Sequence, residues 1–368
     1  LYTTRFGPVV AAPQNGLVWN KANAFALKDA NRGNGRAIAT WLGIGKAKSV
    51  GEIKAVVSDT LGIPWVNTIA SDRHGDALLA DVTAVPNVSA AKVAACSTPI
   101  SGLFASLATL LDGARSECDW DVAAGTPEPG LMPASDQAAT LRRDYLTNSN
   151  DSYWIANPRI PQAARSPVLG PHASALTLRT RSNFTETEAL LAGGKVDHAR
   201  AKALAFANKS LAADMAMGPL LALCSSEAEA SRGCAALAGW DRRYEATSRG
   251  AALFRAFWAK AARIPGLWAV PFDAADPINT PRDLNTAAVG TKLLAALNEA
   301  VAELDTAGIA LDAPWGEVQQ WRVGDERIPI HGGPGTAGVL NYQDARPAPG
   351  GGLVPVHGTS YIQIVGFD

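Results

Sequence analysis

The sequence predicts an α+β fold in which strand-like segments at both ends of the chain enclose a long helical stretch. Apolar, β-forming runs occupy residues 65–70 and 77–82 and return at residues 318–323 and 359–365. Between them, from about residue 186 to 310, Ala and Leu recur at helical spacing. Because strands at both ends flank a helical insertion, the sheet is expected to form from distant segments of the chain.

The N-terminal part carries local signals for a strand and two helices. Residues 2–10 alternate in strand fashion, and residues 35–42 form the first helical segment. A second helix is predicted to begin at Ser49, which with Glu52 three residues later forms a capping box, and to reach about Leu61.

A β-hairpin and a long irregular segment follow these helices. The two apolar runs at 65–70 and 77–82 are joined by a Gly-containing loop, which predicts the hairpin. Residues 84–137 are rich in Pro, Gly, Ser and Asp and show weak periodicity, so an irregular excursion is expected there. At the other end of the chain, residues 361–365 are predicted to form a buried strand.

Composition excludes two classes of function. The formal net charge of −1 gives no electrostatic attraction for nucleic acid or an anionic membrane surface. No run approaches the roughly 18 apolar residues that a membrane span requires. We therefore expect neither a nucleic-acid partner nor a membrane span.

The four cysteines form two local pairs. No His stands near them at metal-ligand spacing, so two disulfides, Cys96–Cys118 and Cys224–Cys234, are favoured over a zinc site. Disulfides indicate an oxidising compartment and a periplasmic or secreted protein. Four buried free thiols are the alternative.

The segment with the clearest chemistry is residues 145–158, which contains three Asn, one Asp and three aromatic residues. Amide side chains in a loop can aim N–H donors at a developing oxyanion. The alternative is a network of Asx turns in which Asn and Asp only cap their own backbone.

The run Asn148-Ser149-Asn150-Asp151-Ser152-Tyr153-Trp154 resembles the signature of the penicillin acylase family, among the N-terminal-nucleophile hydrolases. Further similar segments, before and after this run, occur in the family's order over nearly the whole chain. They are residues 63–75, 239–241, 248–250, 331–335 and 357–361. The resemblance is to the branch that contains acyl-homoserine-lactone acylases and aculeacin-type lipopeptide acylases.

This resemblance implies an αββα core and hydrolysis of a linear amide between an acyl chain and a polar head group. The nucleophile would be an N-terminal Ser whose own α-amino group acts as the base. Leu1 has no hydroxyl or thiol, so the nucleophile is expected on another segment of the same precursor, with a companion small subunit as partner. Without them this chain is expected to be inactive.

The resemblance also implies roles for individual residues. Asn150 would be the side-chain oxyanion donor, and Arg179 would order the site around the nucleophile, with Arg181 as the neighbouring candidate. A surface salt bridge is the alternative for either Arg. Trp41, Trp65 and Val66 would line the pocket for the acyl chain, a role that suits broad apolar walls. Ordinary core packing is the alternative for these three.

No cofactor or metal is expected. None of the five His is spaced with Cys, Asp or Glu as a metal cluster, and His74, His331 and His357 are interpreted as turn residues. Residues 332–335 are Gly-rich but lack the Lys and the following helix of a phosphate-binding loop. Some penicillin acylase relatives hold calcium, but the acidic residues that this would require near 160–175 are missing.

The predicted organisation has three parts. Residues 1–185 belong to the nucleophile-hydrolase core with the oxyanion loop, residues 186–310 form a helical lobe, and residues 311–368 return to the core. The proposed substrates are N-acyl-homoserine lactones, lipopeptides or penicillins. A non-catalytic exported binding or scaffold protein with an acylase-like shape is the rival interpretation.

Overall fold

The computed structural model of the chain describes residues 1–105, 108–224 and 231–367, which form two units. The first unit comprises residues 1–148 and 152–172, and the second comprises residues 149–151 and 173–368. Both contain helices and antiparallel strands, so the predicted α+β class is confirmed. Among the described residues, no helix combines the length and the apolar character needed to cross a membrane.

The first unit is built around a three-stranded antiparallel sheet covered by a helix pair. Its strands are β1 (Val9–Val10), β2 (Phe25–Ala26), β3 (Thr68–Ser71), β4 (Ala77–Asp81) and β5 (Ala138–Arg142), and its helices are α1 (Arg36–Lys46), α2 (Val50–Thr60), α3 (Ala90–Cys96) and α4 (Ser101–Phe104). The sheet has the order β3-β4-β5. Fully buried Leu78 and Ala80 on β4 form a core with Val57 of α2 and with Ile63.

The helix and hairpin signals in the first unit are confirmed, whereas the strand predicted at residues 2–10 is limited to Val9–Val10. Strands β3 and β4 form the predicted hairpin. Ser49 caps α2 by accepting a hydrogen bond from the Glu52 backbone N–H (3.2 Å). The Glu52 carboxylate, however, accepts from the backbone N–H of Lys48 (2.8 Å), one residue before the position that a capping box uses.

In the described part of residues 84–137, which were predicted to be irregular, the regular elements are the short helices α3 and α4 and two 3-10 helices, Ser116–Cys118 and Ala134–Asp136. A disulfide joins Cys96, the last residue of α3, to Cys118, as the sequence predicted. Strand β5 follows this segment and pairs with β4. Because β5 ends at Arg142, the sheet holds the start of the Asn-rich loop.

The second unit is mainly helical and has a continuous apolar core. Its helices are α5 (Leu178–Ala192), α6 (His198–Ala205), α7 (Leu211–Cys224), α8 (Ser231–Ala238), α9 (Ala251–Ala261), α10 (Thr286–Thr306) and α11 (Trp315–Val318), and its strands are β6 (Trp268–Val270), β7 (Arg282–Leu284), β8 (Gln320–Val323), β9 (Glu326–Pro329), β10 (Gln343–Pro347) and β11 (Leu353–Gly358). The strands form three antiparallel pairs, β6–β7, β8–β9 and β10–β11. Cys224 at the end of α7 is disulfide-bonded to Cys234 on α8, so the second predicted pair is also present.

Helices α9 and α10 contribute more residues to this core than the other helices do. Phe254, Phe257 and Trp258 on α9 are buried together, with Phe254 stacked on Trp258 at 5.9 Å between ring centroids. The Trp258 indole N–H donates to the backbone oxygen of Thr336 (2.8 Å), so the turn at residues 335–337 is tied to the core.

The prediction of a buried strand at residues 361–365 is wrong. Strand β11 ends at Gly358, and residues 361–365 are largely exposed and outside any strand, with Tyr361 79% exposed. An alternating apolar run forms a strand only where another strand satisfies its backbone groups. Among the described residues, no strand pairs with it.

Leu297 on α10 tests the core of the second unit, because its side chain is fully buried. Leu297→Ala is expected to lower the free energy of unfolding by about 2–5 kcal/mol, since it leaves a cavity that its neighbours fill only partly. Urea denaturation measures the change. The matched control is Leu103→Ala, because Leu103 is 75% exposed, and a change within about 0.5 kcal/mol is expected there. Equal losses in the two variants would contradict this assignment of the core.

Candidate functional site

The base of the Asn-rich loop lies in the first unit and is held by backbone and amide hydrogen bonds. The Thr147 N–H donates to the Ala156 oxygen (3.0 Å), which brings the two sides of the loop together. Asn157 is fully buried and donates from Nδ2 to the Tyr145 oxygen (3.0 Å), while its Oδ1 accepts from the Arg159 N–H (2.9 Å). Asn157 thus forms the Asx turn that the alternative interpretation expected.

Asp144 adds an ion pair to this base. Arg142 donates from Nε and Nη2 to the two carboxylate oxygens of Asp144, at 2.7 and 2.6 Å. The Arg142 guanidinium holds the pKa of Asp144 well below its ordinary range. The carboxylate is therefore ionised at any physiological pH.

The tip of the loop, residues 149–151, belongs to the second unit and is bound by α5. Arg179 donates from Nη2 to the backbone oxygen of Ser149 (2.6 Å) and to Oδ1 of Asn150 (2.5 Å). A guanidinium has donors only, so the Asn150 amide presents its oxygen to Arg179 and its nitrogen in the other direction. Asn150 is exposed and has a φ of 67°, in the left-handed region that few residues other than Gly adopt.

Both neighbours of Asn150 are also bound to α5. Asn183, one helical turn after Arg179, donates from Nδ2 to Oγ of Ser149 (2.9 Å). On the other side, Oδ2 of Asp151 accepts from the backbone N–H of Thr177 (2.9 Å) and from its hydroxyl (3.0 Å). The chain is thus fixed before and after the left-handed residue.

Arg179 is half-buried between the loop and a wall formed by the C-terminal part of the chain. Its guanidinium lies 5.5 Å from the centroid of the Tyr342 ring, a cation–π contact. A Cβ at Gly335 would lie 3.2 Å from that ring and 3.4 Å from Arg179 Nε. Burial lowers the pKa of Arg179, while the Asp151 carboxylate and Tyr342 act in the opposite direction. The side chain remains protonated, since an arginine does not lose its charge in proteins.

Arg181, the alternative candidate, has a different environment. It is 4% exposed and donates to the backbone oxygens of Ile278 (2.6 Å) and Pro281 (2.8 Å). These bonds join α5 to the segment before β7. Of the two arginines, Arg179 is the one whose hydrogen bonds go to the loop tip.

The three residues predicted to line an acyl pocket all lie in the first unit and are all exposed. Trp41 on α1 is 52% exposed, Trp65 is 79% exposed and Val66 is 40% exposed. None of the three is packed in the core of the described residues. Their apolar surfaces are accessible to a ligand or to another polypeptide segment.

Two of the histidines that were interpreted as turn residues have structural contacts. His331 stacks on Phe206, and its Nδ1 lies 2.9 Å from Nδ2 of Asn208 and 3.1 Å from Nδ2 of Asn341. His357 packs edge-on against Tyr342. In the described part of the chain, no group of three or more His, Cys, Asp or Glu side chains is arranged to hold a metal.

Sequence reasoning missed three residues of this arrangement, namely Thr177, Asn183 and Tyr342. For Asn183 the signal was weak, because the first half of α5 is polar and has no apolar periodicity. Arg179 and Asn183 are nevertheless spaced i, i+4, which places them on one face if the segment is helical.

The whole chain, residues 1–368, matches the family model described as penicillin amidase. Because this match covers the full chain, it defines the class of protein. The same chain carries the exposed residue Asn150, whose amide oxygen is bound by Arg179. The chain belongs to the penicillin amidase family, and the resemblance seen in its motifs is confirmed.

Relatives of known name are similar over the same region. The acyl-homoserine lactone acylase PvdQ of Pseudomonas syringae pv. syringae is 37% identical over 376 residues, a match that covers 100% of this chain and 48% of that protein. The aculeacin-A acylase of Actinoplanes utahensis is 37% identical over 386 residues, covering 99% of this chain and 48% of that protein. The chain therefore spans about half the length of these relatives.

The Arg142–Asp144 ion pair is expected to make the stability of the protein depend on pH. Because the folded-state pKa of Asp144 lies below an unfolded value of about 3.9, the pair stabilises the protein above about pH 4 and less as the pH falls toward the folded-state pKa. Asp144→Asn is expected to lower the Tm slightly at pH 7, since the pair is solvent-exposed, and the difference from wild type is expected to narrow below about pH 4. Scanning calorimetry across pH measures both.

Arg142→Gln provides the matched variant, since it removes the other partner and is expected to show the same narrowing. A Tm difference for Asp144→Asn that stays constant down to about pH 3 would contradict the assignment of the ion pair to the folded state.

Proposed function

We propose that this chain is part of an amide hydrolase that cleaves the bond between an acyl chain and a polar head group. The observation that carries the proposal is the exposed, left-handed Asn150 with its Oδ1 bound by Arg179, in a chain of the penicillin amidase family. The nucleophile is an N-terminal Ser on another segment of the same precursor, and a companion small subunit completes the enzyme.

In this mechanism the Ser hydroxyl attacks the amide carbonyl, and the α-amino group of the same Ser accepts the proton. An α-amino group has an ordinary pKa of about 7.7–8.0, close to neutral pH, which suits this exchange. Asn150 Nδ2 donates to the oxyanion of the tetrahedral intermediate. Collapse of this intermediate breaks the amide C–N bond and releases the amine, which takes the proton from the α-amino group, and water then hydrolyses the acyl-Ser ester. Arg179 orders the site by holding the other end of that amide, which fixes the side of Asn150 that faces the substrate.

The proposed architecture is the one that membership of the penicillin amidase family implies. Residues 1–185 and 311–368 contribute to an αββα core, and residues 186–310 form a helical lobe beside it. The two disulfides support a periplasmic or secreted location, because such bonds persist in oxidising compartments.

The proposed substrates are N-acyl-homoserine lactones, lipopeptides or penicillins. Two relatives support the first two classes by their names, one an acyl-homoserine lactone acylase and the other an aculeacin-A acylase. The exposed side chains of Trp41, Trp65 and Val66 are suited to bind an acyl chain, since they offer apolar area without directional demands.

Asn150→Ala tests the oxyanion role in the complete protein that contains this chain. Loss of one such donor is expected to lower kcat by about 100- to 1000-fold with little change in KM, because the donor binds the transition state more strongly than the substrate. Release of free homoserine lactone from a long-chain N-acyl-homoserine lactone measures the rate, with a lipopeptide and a penicillin as further substrates.

Asn20→Ala is the matched control, because Asn20 is an exposed Asn whose Oδ1 only caps its own loop, accepting from the N–H groups of Ala22 and Asn23. It is expected to leave kcat unchanged. If both variants keep wild-type activity, Asn150 is not the oxyanion donor. If the complete protein folds but hydrolyses none of the three substrate classes, the scaffold interpretation is favoured.

Trp65→Ala tests the acyl pocket. We expect a larger fall in kcat/KM for a dodecanoyl than for a hexanoyl substrate, because the longer chain buries more apolar surface against the indole. The Tm is expected to stay close to wild type, since Trp65 is 79% exposed. Trp19→Ala, at a residue 46% exposed, serves as the control, and an equal effect of chain length in both variants would contradict the role of Trp65.

A further inference from the structure

Asn150 has a left-handed backbone conformation that is uncommon outside Gly, and the residues beside it are bound in place. A left-handed φ of 67° is unfavourable for a residue with a Cβ, although Asn tolerates it better than most. Such a conformation persists when the surrounding structure determines it. Here the surrounding structure is α5, which binds Ser149 on one side and Asp151 on the other.

We propose that Asp151 and Asn183 are positioning residues that hold the backbone of Asn150 in the orientation that aims its amide. The inference rests on the proposed function of Asn150 as the oxyanion donor. Neither residue needs to contact the substrate, because each acts through a neighbour of Asn150. Arg179 holds the side-chain end of Asn150, and these two residues hold the chain on either side of it.

Asp151 fixes the chain on the C-terminal side of Asn150 by binding to Thr177, the residue directly before α5. Its Oδ2 accepts two hydrogen bonds from Thr177, one from the backbone N–H at 2.9 Å and one from the hydroxyl at 3.0 Å. The same hydroxyl is the N-cap of α5 and accepts from the Thr180 N–H (3.2 Å). The carboxylate therefore binds to a point that the helix itself holds rigid, near the positive end of the helix dipole.

Asn183 fixes the N-terminal side. Its Nδ2 donates to the Ser149 hydroxyl (2.9 Å), and its Oδ1 accepts from the Thr187 hydroxyl (3.2 Å), which orients the amide. Ser149 is 5% exposed and also gives its backbone oxygen to Arg179. A buried residue bound through both side chain and backbone has little freedom to rotate, so the φ of the next residue is restricted.

Asp151→Ala in the complete protein is the first test. We expect kcat to fall at least about 10-fold with KM within about 2-fold of wild type, because the donor is misplaced while substrate binding is retained. Asp151→Asn, which keeps an acceptor for both Thr177 donors, is expected to recover most of the loss. Asn183→Leu is expected to lower kcat in the same way, with little change in KM.

The matched control is Asp197→Ala. Asp197 is the N-cap of α6, accepts from the Arg200 N–H (2.8 Å) and is exposed. Its removal is expected to lower the Tm about as much as Asp151→Ala does and to leave kcat unchanged. A loss of kcat of the same size in both variants would overturn the proposal, since it would reflect general destabilisation.

A double-mutant cycle separates this inference from the proposed function. If Asp151 acts through Asn150, adding Asp151→Ala to Asn150→Ala is expected to cause no further loss of kcat. Additive losses would overturn the inference while leaving the oxyanion role intact. Wild-type activity in Asn150→Ala alone would instead contradict the proposed function.

Hydrogen exchange provides a readout that does not depend on activity. The backbone amides of residues 149–151 are expected to exchange faster in Asp151→Ala than in wild type or Asp197→Ala, because the restraint on that side is gone. Unchanged exchange at these amides in Asp151→Ala would show that Asp151 does not hold the loop tip.

Discussion

The hydrogen bonds from Arg179 to the Ser149 oxygen and to Asn150 Oδ1 are the constraint on which the candidate site depends. One guanidinium nitrogen binds the main chain and the side chain at once, so it restricts both the path of the loop and the orientation of the amide. Because arginine can only donate, it selects the oxygen of Asn150 and leaves no choice about which end of the amide turns away. A lysine has a single flexible charge in place of a planar fork and would restrict this geometry less.

The family motifs near the C-terminus are explained by what lies behind Arg179. Gly335 lies close to both groups there, because a Cβ at this position would lie 3.2 Å from the Tyr342 ring and 3.4 Å from Arg179 Nε. Tyr342 in turn packs edge-on against His357. The backbone N–H of Thr359 donates to the backbone oxygen of Tyr342 (2.8 Å), so the main chain that carries this ring is also held in place. Segments far apart in the sequence therefore hold a half-buried cation against the loop.

The contrast between Asn150 and Asn208 shows why residue type alone does not identify a site. Both have a left-handed backbone, with φ of 67° and 48°. Asn208 is 2% exposed, and its amide is used within the protein, donating to His331 and accepting from Asn341 (3.1 Å). Asn150 is exposed at the tip of a loop whose flanking residues are held. The same uncommon conformation occurs in a buried residue in one case and, with its Oδ1 bound by Arg179, in an exposed residue in the other.

Local sequence was enough to predict the features that depend on near neighbours. The hairpin of β3 and β4, the Ser49 cap and both disulfides were predicted. Each of these features joins residues that are close together in the sequence. The polar start of α5 gave no apolar period, so the helix that carries Arg179 was missed there. Alternation at residues 361–365 predicted a strand, but pairing requires a partner that the described residues do not supply. Asn150 and Arg179 are 29 positions apart, so their hydrogen bond depends on how the chain is folded, and only the tertiary structure could decide it.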